Sequence, residues 1–431
     1  MKIAIIGTGI SGLTCGHLLN PEHEITLYEA NDYIGGHTNT VDVRSEAGTV
    51  HAVDTGFIVF NDRTYPNFIG LLDELGVESR PTSMGFSVAC EQSGVEYSGT
   101  NLKTLFAQKK NLLRSSHLRM LADILRFNSQ APSHLEIVSE DCSVGEYLSR
   151  FRFSNAFADR YLLPMGAAIW SCPMQRFRDF PIRFIIEFYK HHGLLSLNDR
   201  PVWRVIRGGS REYVKLLVHP FRSRVRLNSP VRSVVRDTDG VTIKTDSDEE
   251  SFDEVIFACH SDQALKMLAD PSSHESEILE EFPYSKNTAV LHTDAQVLPK
   301  RRSTWSSWNY RIRRNEQRPN VTYNMNILQH IHEPETYCVT LNDEEHIRSD
   351  SLIGTYQYSH PVFTIRRSQT QQRHAELIRR NSTSYCGAYW GNGFHEDGVT
   401  SALRVCAAFG ITPTWSQVTQ PNDRVELLTR A

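Results

Sequence analysis

The sequence lacks any long apolar run, since no stretch approaches the roughly twenty residues that a membrane-spanning helix needs. It also lacks a marked charge imbalance: the formal net charge is −4, which gives no support for nucleic-acid binding. The chain starts directly with a strand-like apolar run, so no signal peptide is expected. Together these features predict a cytoplasmic protein that acts on something other than nucleic acid.

The cysteines and histidines show no metal-binding pattern. The eight cysteines have no C-x-x-C spacing, and several lie inside apolar runs, as reduced buried thiols do. The eighteen histidines include His191-His192 and the pair His330 and His332, but no cluster with acids at helical spacing. No metal is therefore expected. At 431 residues the chain exceeds what one core usually holds, so two domains are expected.

The first thirty residues carry the clearest pattern. The apolar, β-branched run at residues 3–6 is typical of a buried parallel strand. Three glycines follow in G-x-G-x-x-G spacing, then a predicted helix to about Leu19, then a second strand at residues 24–28 that ends at Glu29. This spacing permits a tight turn, a close approach to a pyrophosphate and an acid on the ribose, while Glu29 disfavours a 2′-phosphate. The expected dinucleotide contacts are Gly7, Gly9, Ile10, Ser11, Gly12, Glu29 and Ala30.

A second glycine pair follows the ribose-binding acid, in the sequence Ala-Asn-Asp-Tyr-Ile-Gly-Gly-His-Thr, and a D-x-G segment follows at residues 54–56. A glycine pair lets the backbone approach a ligand without a Cβ in the way. This arrangement resembles the FAD-dependent enzymes of the amine oxidase and phytoene desaturase superfamily. The resemblance implies FAD as the cofactor, with contacts at Gly35, Gly36, His37, Thr38, Thr55, Gly56 and Phe57.

Two later segments extend the resemblance. The strand-like run at residues 252–261 is similar to the superfamily strand near adenosine, and the glycine-rich loop at 387–398 is similar to its closing FAD motif. A strand is expected to end at Gly387 and a helix to start near Gly398, with its positive end beside the N1–C2=O edge of the flavin. Ala388 stands where common members have an acid, which Glu396 or Asp397 could replace. The implied contacts are Val231, Ala258, Gly387, Asp397, Gly398 and Val399.

No acid–base dyad stands out in the sequence. The resemblance places the loop before Gly398 beside the flavin ring, so His395 and Glu396 are candidates for proton handling and Tyr389 and Trp390 for aromatic neighbours of the ring. A purely structural role in the loop explains all four equally well. Cys386 is expected to pack in the core and not to bind flavin covalently.

The remaining segments predict the substrate side. Small residues at 166–168 precede Trp170 and suit a ligand cavity or a tight core equally well, and the aromatic run at 177–197 would suit a long hydrocarbon. Alternating residues at 288–293, 303–310, 321–328 and 337–341 predict an antiparallel sheet. From Leu102 to Phe127 two basic amphipathic helices are expected, which either contact a membrane peripherally or present a solvated cationic face.

The sequence therefore predicts an α/β protein with two domains. A Rossmann-like FAD-binding domain, with a parallel sheet and a β-meander, is expected from residues 1–80, 200–270 and 380–415. An α+β substrate domain, with an antiparallel sheet and helices, is expected from 81–199 and 271–379. The resemblance is closest to bacterial predicted NAD/FAD-binding oxidoreductases associated with fatty-acid modification. It implies hydride transfer from a small-molecule or lipid substrate; isomerisation of a double bond, amine oxidation and flavin binding without turnover are the alternatives.

Overall fold

The computed structural model describes residues 1–196, 198–314, 320–364 and 366–418. The strands of these residues are β1 (Lys2–Ile6), β2 (Glu24–Tyr28), β3 (Thr40–Arg44), β4 (Val50–Asp54), β5 (Phe60–Asn61), β6 (Ser79–Pro81), β7 (Phe86–Cys90), β8 (Val95–Ser98), β9 (Trp203–Ile206), β10 (Val225–Arg226), β11 (Ser233–Arg236), β12 (Val241–Lys244), β13 (Glu249–Phe252), β14 (Glu254–Phe257), β15 (Tyr284–His292), β16 (Trp308–Ile312), β17 (Val321–Asn324), β18 (Cys338–Leu341), β19 (Leu352–Pro361) and β20 (Thr383–Tyr385).

The helices are α1 (Ile10–Leu19), α2 (Pro66–Glu74), α3 (Leu102–Leu105), α4 (Ser115–His134), α5 (Val144–Arg150), α6 (Asn155–Phe157), α7 (Leu163–Trp170), α8 (Met174–Phe177), α9 (Ile182–His191), α10 (Arg211–Val218), α11 (Ser261–Met267), α12 (Ser273–Leu279), α13 (Met325–Leu328), α14 (Arg367–Gln372) and α15 (His395–Ala408). Among the described residues, no helix combines the length and the apolar composition needed to cross a membrane.

A five-stranded parallel sheet has the order β10-β2-β1-β14-β20 and combines strands from both ends and the middle of the chain. Its central strands are buried almost throughout, which explains their continuous apolar sequence. The predicted strands at 3–6 and 24–28 are confirmed as β1 and β2. The β-meander, predicted for residues 225–235 and 241–245, is confirmed as β11-β12-β13. Val225 and Arg226 lie outside it, because they pair with β2 in the parallel sheet.

The second large sheet has the order β19-β15-β18-β17-β16-β7-β8 and is antiparallel except where β16 pairs with β7. The strand predicted for 321–328 is wrong after Asn324. The side-chain Oδ1 of Asn324 accepts a hydrogen bond from the backbone N–H of Ile327 at 3.2 Å and so caps α13. Met325 and Ile327 therefore belong to a helix and do not extend the strand face. The predicted strand at 303–310 starts only at Trp308, after a 3₁₀ turn.

Helices α4 to α9 pack around an aromatic cluster that contains Phe127, Tyr147, Trp170 and Phe177. A Cβ on Gly166 would lie 2.0 Å from the Phe177 ring, so the small residues of α7 serve tight packing. The segment predicted as two amphipathic helices consists of α3, a 3₁₀ turn at Lys109–Leu113 and the 20-residue α4. The α/β fold class is confirmed, while the exact domain boundaries stay a prediction.

Candidate cofactor-binding site

The first glycine turn joins β1 to α1, and its three glycines have different tasks. Gly7 has φ +108°, and a Cβ on Gly12 would lie 2.0 Å from the Gly7 carbonyl oxygen. Both positions therefore require glycine for the turn itself and for helix packing. A Cβ on Gly9 would meet no protein atom within 4 Å. Gly9 thus leaves open space at the N-terminus of α1, where a pyrophosphate would approach.

Glu29 follows β2, is buried, and accepts four hydrogen bonds. Its Oε2 accepts from the backbone N–H and hydroxyl of Thr8 at 3.1 and 2.5 Å, and its Oε1 accepts from the backbone and side-chain amides of Asn31 at 2.9 and 2.8 Å. Ribose hydroxyls would have to replace some of these donors. Sequence reasoning missed Thr8 and Asn31; both flank motif residues, which is the signal that could have identified them. Ala30 is exposed beside Glu29.

The second glycine pair lies directly against the first turn. Gly36 has φ +59°, and a Cβ on it would lie 3.1 Å from the Cα of Gly9. A Cβ on Gly56, in the D-x-G segment, would lie 2.1 Å from the His37 carbonyl oxygen. That oxygen also accepts a hydrogen bond from the backbone N–H of Phe57 at 2.8 Å. Three predicted cofactor segments therefore converge at one place, although they are far apart in the chain.

The closing helix α15 completes this convergence. It starts at His395, three residues before the predicted start near Gly398, and β20 ends at Tyr385, before Gly387. A Cβ on Gly398 would lie 2.7 Å from Ile10, and the Ser11 hydroxyl donates to the Gly398 carbonyl at 2.9 Å. The N-terminal halves of α1 and α15 are thus in direct contact, and both place positive helix ends toward the site.

The remaining predicted contacts lie around this centre. Ala258 follows β14, and its carbonyl oxygen would be 2.7 Å from a Cβ on Gly7. The backbone N–H of Gly387 donates to the Ser401 hydroxyl of α15 at 2.9 Å.

Three further predicted contacts are buried nearby. Val399 is fully buried against the parallel sheet. Thr55 donates to the Asn39 carbonyl at 3.0 Å, and Val231 is buried beside the meander.

His395 is held between the glycine motifs and α10. Its Nε2 lies 3.0 Å from the Thr38 hydroxyl and 3.1 Å from the Tyr213 hydroxyl, and its ring stacks on Phe57 at 3.5 Å between centroids. Burial holds the pKa of His395 well below its ordinary value. The imidazole is therefore neutral near pH 7, and its Nε2 hydrogen-bonds to the two hydroxyls without carrying a charge. Sequence reasoning missed Tyr213, because its partner His395 lies 182 residues away in the chain.

Glu396 caps another helix. Its carboxylate accepts from the backbone N–H and side-chain amide of Asn67 at 3.1 and 2.8 Å and from the backbone N–H of Phe68 at 2.8 Å, all at the start of α2. Burial raises the pKa of Glu396 to about 7, against the lowering effect of these hydrogen bonds. Asp397 accepts from the backbone N–H of Phe394 at 2.9 Å and caps α15 itself. A role of Glu396 in proton handling stays a prediction.

Tyr389 and Trp390 lie in a different core cluster from Phe57 and Tyr213. Tyr389 packs against Phe282 at 5.0 Å, and Trp390 stacks on His374 at 4.2 Å between ring centroids. Their roles beside the flavin stay predictions, as does every individual site role.

Sequence reasoning also missed a group of histidines beside Gly36. The His37 ring lies 5.4 Å from His360, 6.1 Å from His260 and 5.0 Å from Tyr358, measured between centroids. Burial lowers the pKa of His37 and His260 to about 4 and that of His360 to about 3. Within the described ranges, no group of three or more His, Cys, Asp or Glu residues is suited to a metal ion.

These residues fit FAD. The carboxylate of Glu29 matches a ribose, and the open space at Gly9 beside the positive end of α1 matches a pyrophosphate. The positive end of α15 matches an electron-rich ring edge. The Nε2 of His37 is buried and has no hydrogen-bond partner among the described residues, as expected of a group that a ligand completes.

Known proteins support the same cofactor. A putative flavin-containing monoamine oxidase, AofH, from Mycobacterium tuberculosis is 24% identical over 282 residues, which cover 63% of this chain and 59% of that protein. The match thus spans about three fifths of the length of this relative. Two crystal structures share the fold. A putative protoporphyrinogen oxidase from Exiguobacterium sp. 255-15 has 17% identity and a TM-score of 0.67, and a CLA-producing fatty acid isomerase from P. acnes has 14% identity and a TM-score of 0.66; each comparison covers 95% of this chain and 98% of the other.

The family model described as "Flavin containing amine oxidoreductase" matches residues 10–308, which is more than half of the chain. That match includes α1, the second glycine pair, the D-x-G segment and the start of the antiparallel sheet. FAD is the cofactor that this family implies. The chain belongs to the flavin-containing amine oxidoreductase family.

Proposed function

We propose that the protein is an FAD-dependent oxidoreductase that transfers a hydride from an apolar, lipid-like substrate to flavin N5. An unsaturated or methylated fatty acyl chain, which would be desaturated, is the substrate class that we favour. FAD, when bound, supplies the two-electron acceptor. The protein then has to bind the hydrocarbon, orient it and exclude water.

The observation that carries this proposal is a series of aromatic rings that starts next to His395. Phe394, the preceding residue, stacks on Phe188 of α9 at 5.5 Å between centroids. Phe188 in turn contacts Trp170 at 4.8 Å, and Trp170 contacts Phe184 at 5.4 Å. Packed apolar side chains therefore extend from the start of α15 into the helical region. An environment of this kind would favour a hydrocarbon over a polar metabolite.

The groups that hydrogen-bond to His395, beside this series, are neutral hydroxyls. Burial holds the pKa of His395 far below its ordinary value, and the Thr38 and Tyr213 hydroxyls occupy its Nε2. The two hydroxyls would orient the His395 ring, and burial would keep the ring uncharged beside the reacting carbon. Desaturation removes a hydride, which flavin N5 would take, and a proton from the neighbouring carbon, which the neutral imidazole of His395 would take. Both transfers need close positioning and the exclusion of water, which suits this arrangement.

The experiment is anaerobic mixing of the purified holoprotein with defined unsaturated fatty acids and, separately, with primary amines. Loss of the visible absorbance of oxidised flavin with a fatty acid, together with a product that has gained a double bond, is the expected result. Fast loss with amines and none with fatty acids would overturn the lipid proposal.

Two alternatives have their own support. The name of the Mycobacterium tuberculosis relative favours amine oxidation, which amine-dependent bleaching would reveal. The fold shared with a fatty acid isomerase favours movement of a double bond. In that case the product would have the mass of the substrate with its double bond displaced, and the flavin would end oxidised.

A lipid-like substrate resides in membranes, so we also propose peripheral membrane contact through residues 102–127.

A further inference from the structure

The segment from α3 to α4 exposes an unusual number of leucines. Leu113 is 92% exposed and Leu102 is 74% exposed. Leu112 shares the 3₁₀ turn with Leu113, while Leu118 and Leu125, seven residues apart, lie on the same solvent face of α4 and are also exposed. The opposite face of α4 is buried through Met120, Phe127 and other residues. Since the buried face already packs the core, these leucines are surplus to folding.

Cations surround these leucines almost without acids. The segment contains Lys103, Lys109, Lys110, Arg114 and Arg119. Between residues 97 and 135 the sequence has one acid, Asp123. Its side chain is buried and held by Arg119 at 3.4 Å, by Arg126 at 3.0 Å and by the backbone N–H of Ser154 at 3.0 Å. The exposed surface is therefore strongly positive, although the whole chain has a net charge of −4.

A second segment, distant in sequence, adds to this surface. Lys300, Arg301 and Arg302 are exposed, and Arg302 lies over the ring of the half-buried Trp305 at 5.3 Å. The β7–β8 hairpin joins the two segments. The Glu96 carboxylate accepts from the backbone N–H groups of Lys300 and Arg301 at 3.2 Å each, while the Glu96 backbone N–H donates to Gln108 at 3.2 Å.

We propose that these two segments, residues 102–125 and 300–305, form one basic–leucine surface that docks on an anionic phospholipid membrane. The leucines enter the headgroup boundary, and the lysines and arginines meet the lipid phosphates. A second copy of this chain is disfavoured, because it would bring eight cations against eight like charges. The membrane contact proposed above for residues 102–127 is thereby extended to residues 300–305, and the lipid it requires is specified as anionic. It does not depend on which substrate is oxidised, so vesicle binding and turnover can fail separately.

The test is co-sedimentation of the holoprotein with vesicles of phosphatidylcholine alone and of phosphatidylcholine with phosphatidylglycerol. We expect binding only to the anionic vesicles, with a partition coefficient that falls as salt rises. Equal binding to both vesicle types, or binding to neither, would overturn the proposal.

Two matched pairs of variants separate charge from insertion. Reversal of Lys103, Lys109 and Lys110 to Glu should lower the partition coefficient at least about 100-fold, whereas reversal of the exposed Lys244, Lys266 and Lys286 should leave it within about threefold. Leu112→Ser with Leu113→Ser should lower it about tenfold, whereas Leu216→Ser with Leu352→Ser, which change exposed leucines elsewhere, should not.

Folding and cofactor retention are checked in each variant by circular dichroism and flavin absorbance, since exposed side chains should leave both unchanged. Equal losses in the two members of a pair would show that the surface is not specific. Concentration-dependent dimers without vesicles, abolished by the same substitutions, would assign the surface to a second copy and overturn the membrane proposal.

Discussion

The cofactor-binding region and the aromatic helical region are constrained in different ways. Around Gly12, Gly36 and Gly56 the backbone segments approach so closely that a single added Cβ would lie about 2 to 3 Å from another backbone atom. Around Phe188 and Phe394 the contacts are between ring centroids about 5 Å apart, which other apolar side chains could partly replace. The first region therefore specifies residue types, while the second specifies only volume and apolar character.

The substitution with the largest expected effect disrupts the cofactor-binding region. Gly12→Ala would place its Cβ 2.0 Å from the Gly7 carbonyl oxygen, so the turn or α1 must shift. We expect a loss of about 3 kcal/mol in the free energy of unfolding of the apoprotein, measured by urea denaturation. A loss below about 0.5 kcal/mol would mean that the turn is not as tight as described.

Gly9→Ala is the matched substitution, because a Cβ there meets no protein atom. We expect the stability of its apoprotein to stay within about 0.5 kcal/mol of wild type, with a loss of FAD affinity of about 10- to 100-fold in a flavin titration. Unchanged FAD affinity would contradict the assignment of Gly9 to the pyrophosphate.

The second prediction concerns Glu396, which links α15 to α2. Its pKa rises from 4.5 to about 7 on folding, so between these values the folded state keeps a proton that the unfolded state has lost. Its contribution to stability is thus present below about pH 4.5 and lost as the pH rises toward 7. We expect the difference in unfolding free energy between wild type and Glu396→Gln to change by about 2 kcal/mol between pH 5 and pH 7.5.

Glu22→Gln, at an exposed position after α1, is the control and should show no such change. A wild-type-to-Gln difference that is constant with pH would contradict the raised pKa of Glu396.

The third prediction concerns His360, which lies in the second large sheet and faces the cofactor region. Burial lowers its pKa from 6.5 to about 3, so its contribution to stability is present above about pH 6.5 and lost as the pH falls. Between pH 7 and pH 5, His360→Gln apoprotein should lose about 2 kcal/mol less unfolding free energy than wild type. His332→Gln, at an exposed site, should follow wild type, and equal losses in all three would refute the prediction.

The smallest expected effect tests the aromatic region. Phe394→Leu keeps an apolar side chain beside His395, so we expect FAD affinity to stay unchanged and KM for the acyl substrate to rise about threefold. Phe151→Leu removes a ring that stacks on His134 at 4.0 Å in the same helical cluster and should leave KM unchanged. Steady-state kinetics decides, and a loss of FAD with unchanged KM would place Phe394 at the cofactor and not at the substrate.

Much of the cofactor region could be predicted from the sequence because its requirements are local. Gly7, Gly9 and Gly12 have their spacing set by one turn, and β1 and β2 are continuous apolar runs that only a buried strand explains. The antiparallel sheet was predicted less well. Asn324 ends β17 because its side chain caps α13. An asparagine within an alternating pattern does not by itself show whether the strand continues or a helix begins.

By itself, the sequence determined the order of the cofactor segments and the residue types that a close backbone approach demands, since both depend on neighbours along the chain. Only the tertiary structure decided what Glu396 does, because its partners Asn67 and Phe68 lie more than 300 residues away. It also joined Lys300 to the leucines of α3 and α4 through Glu96. Contacts of this kind arise when separate elements pack together, and no local pattern encodes which side chains will meet.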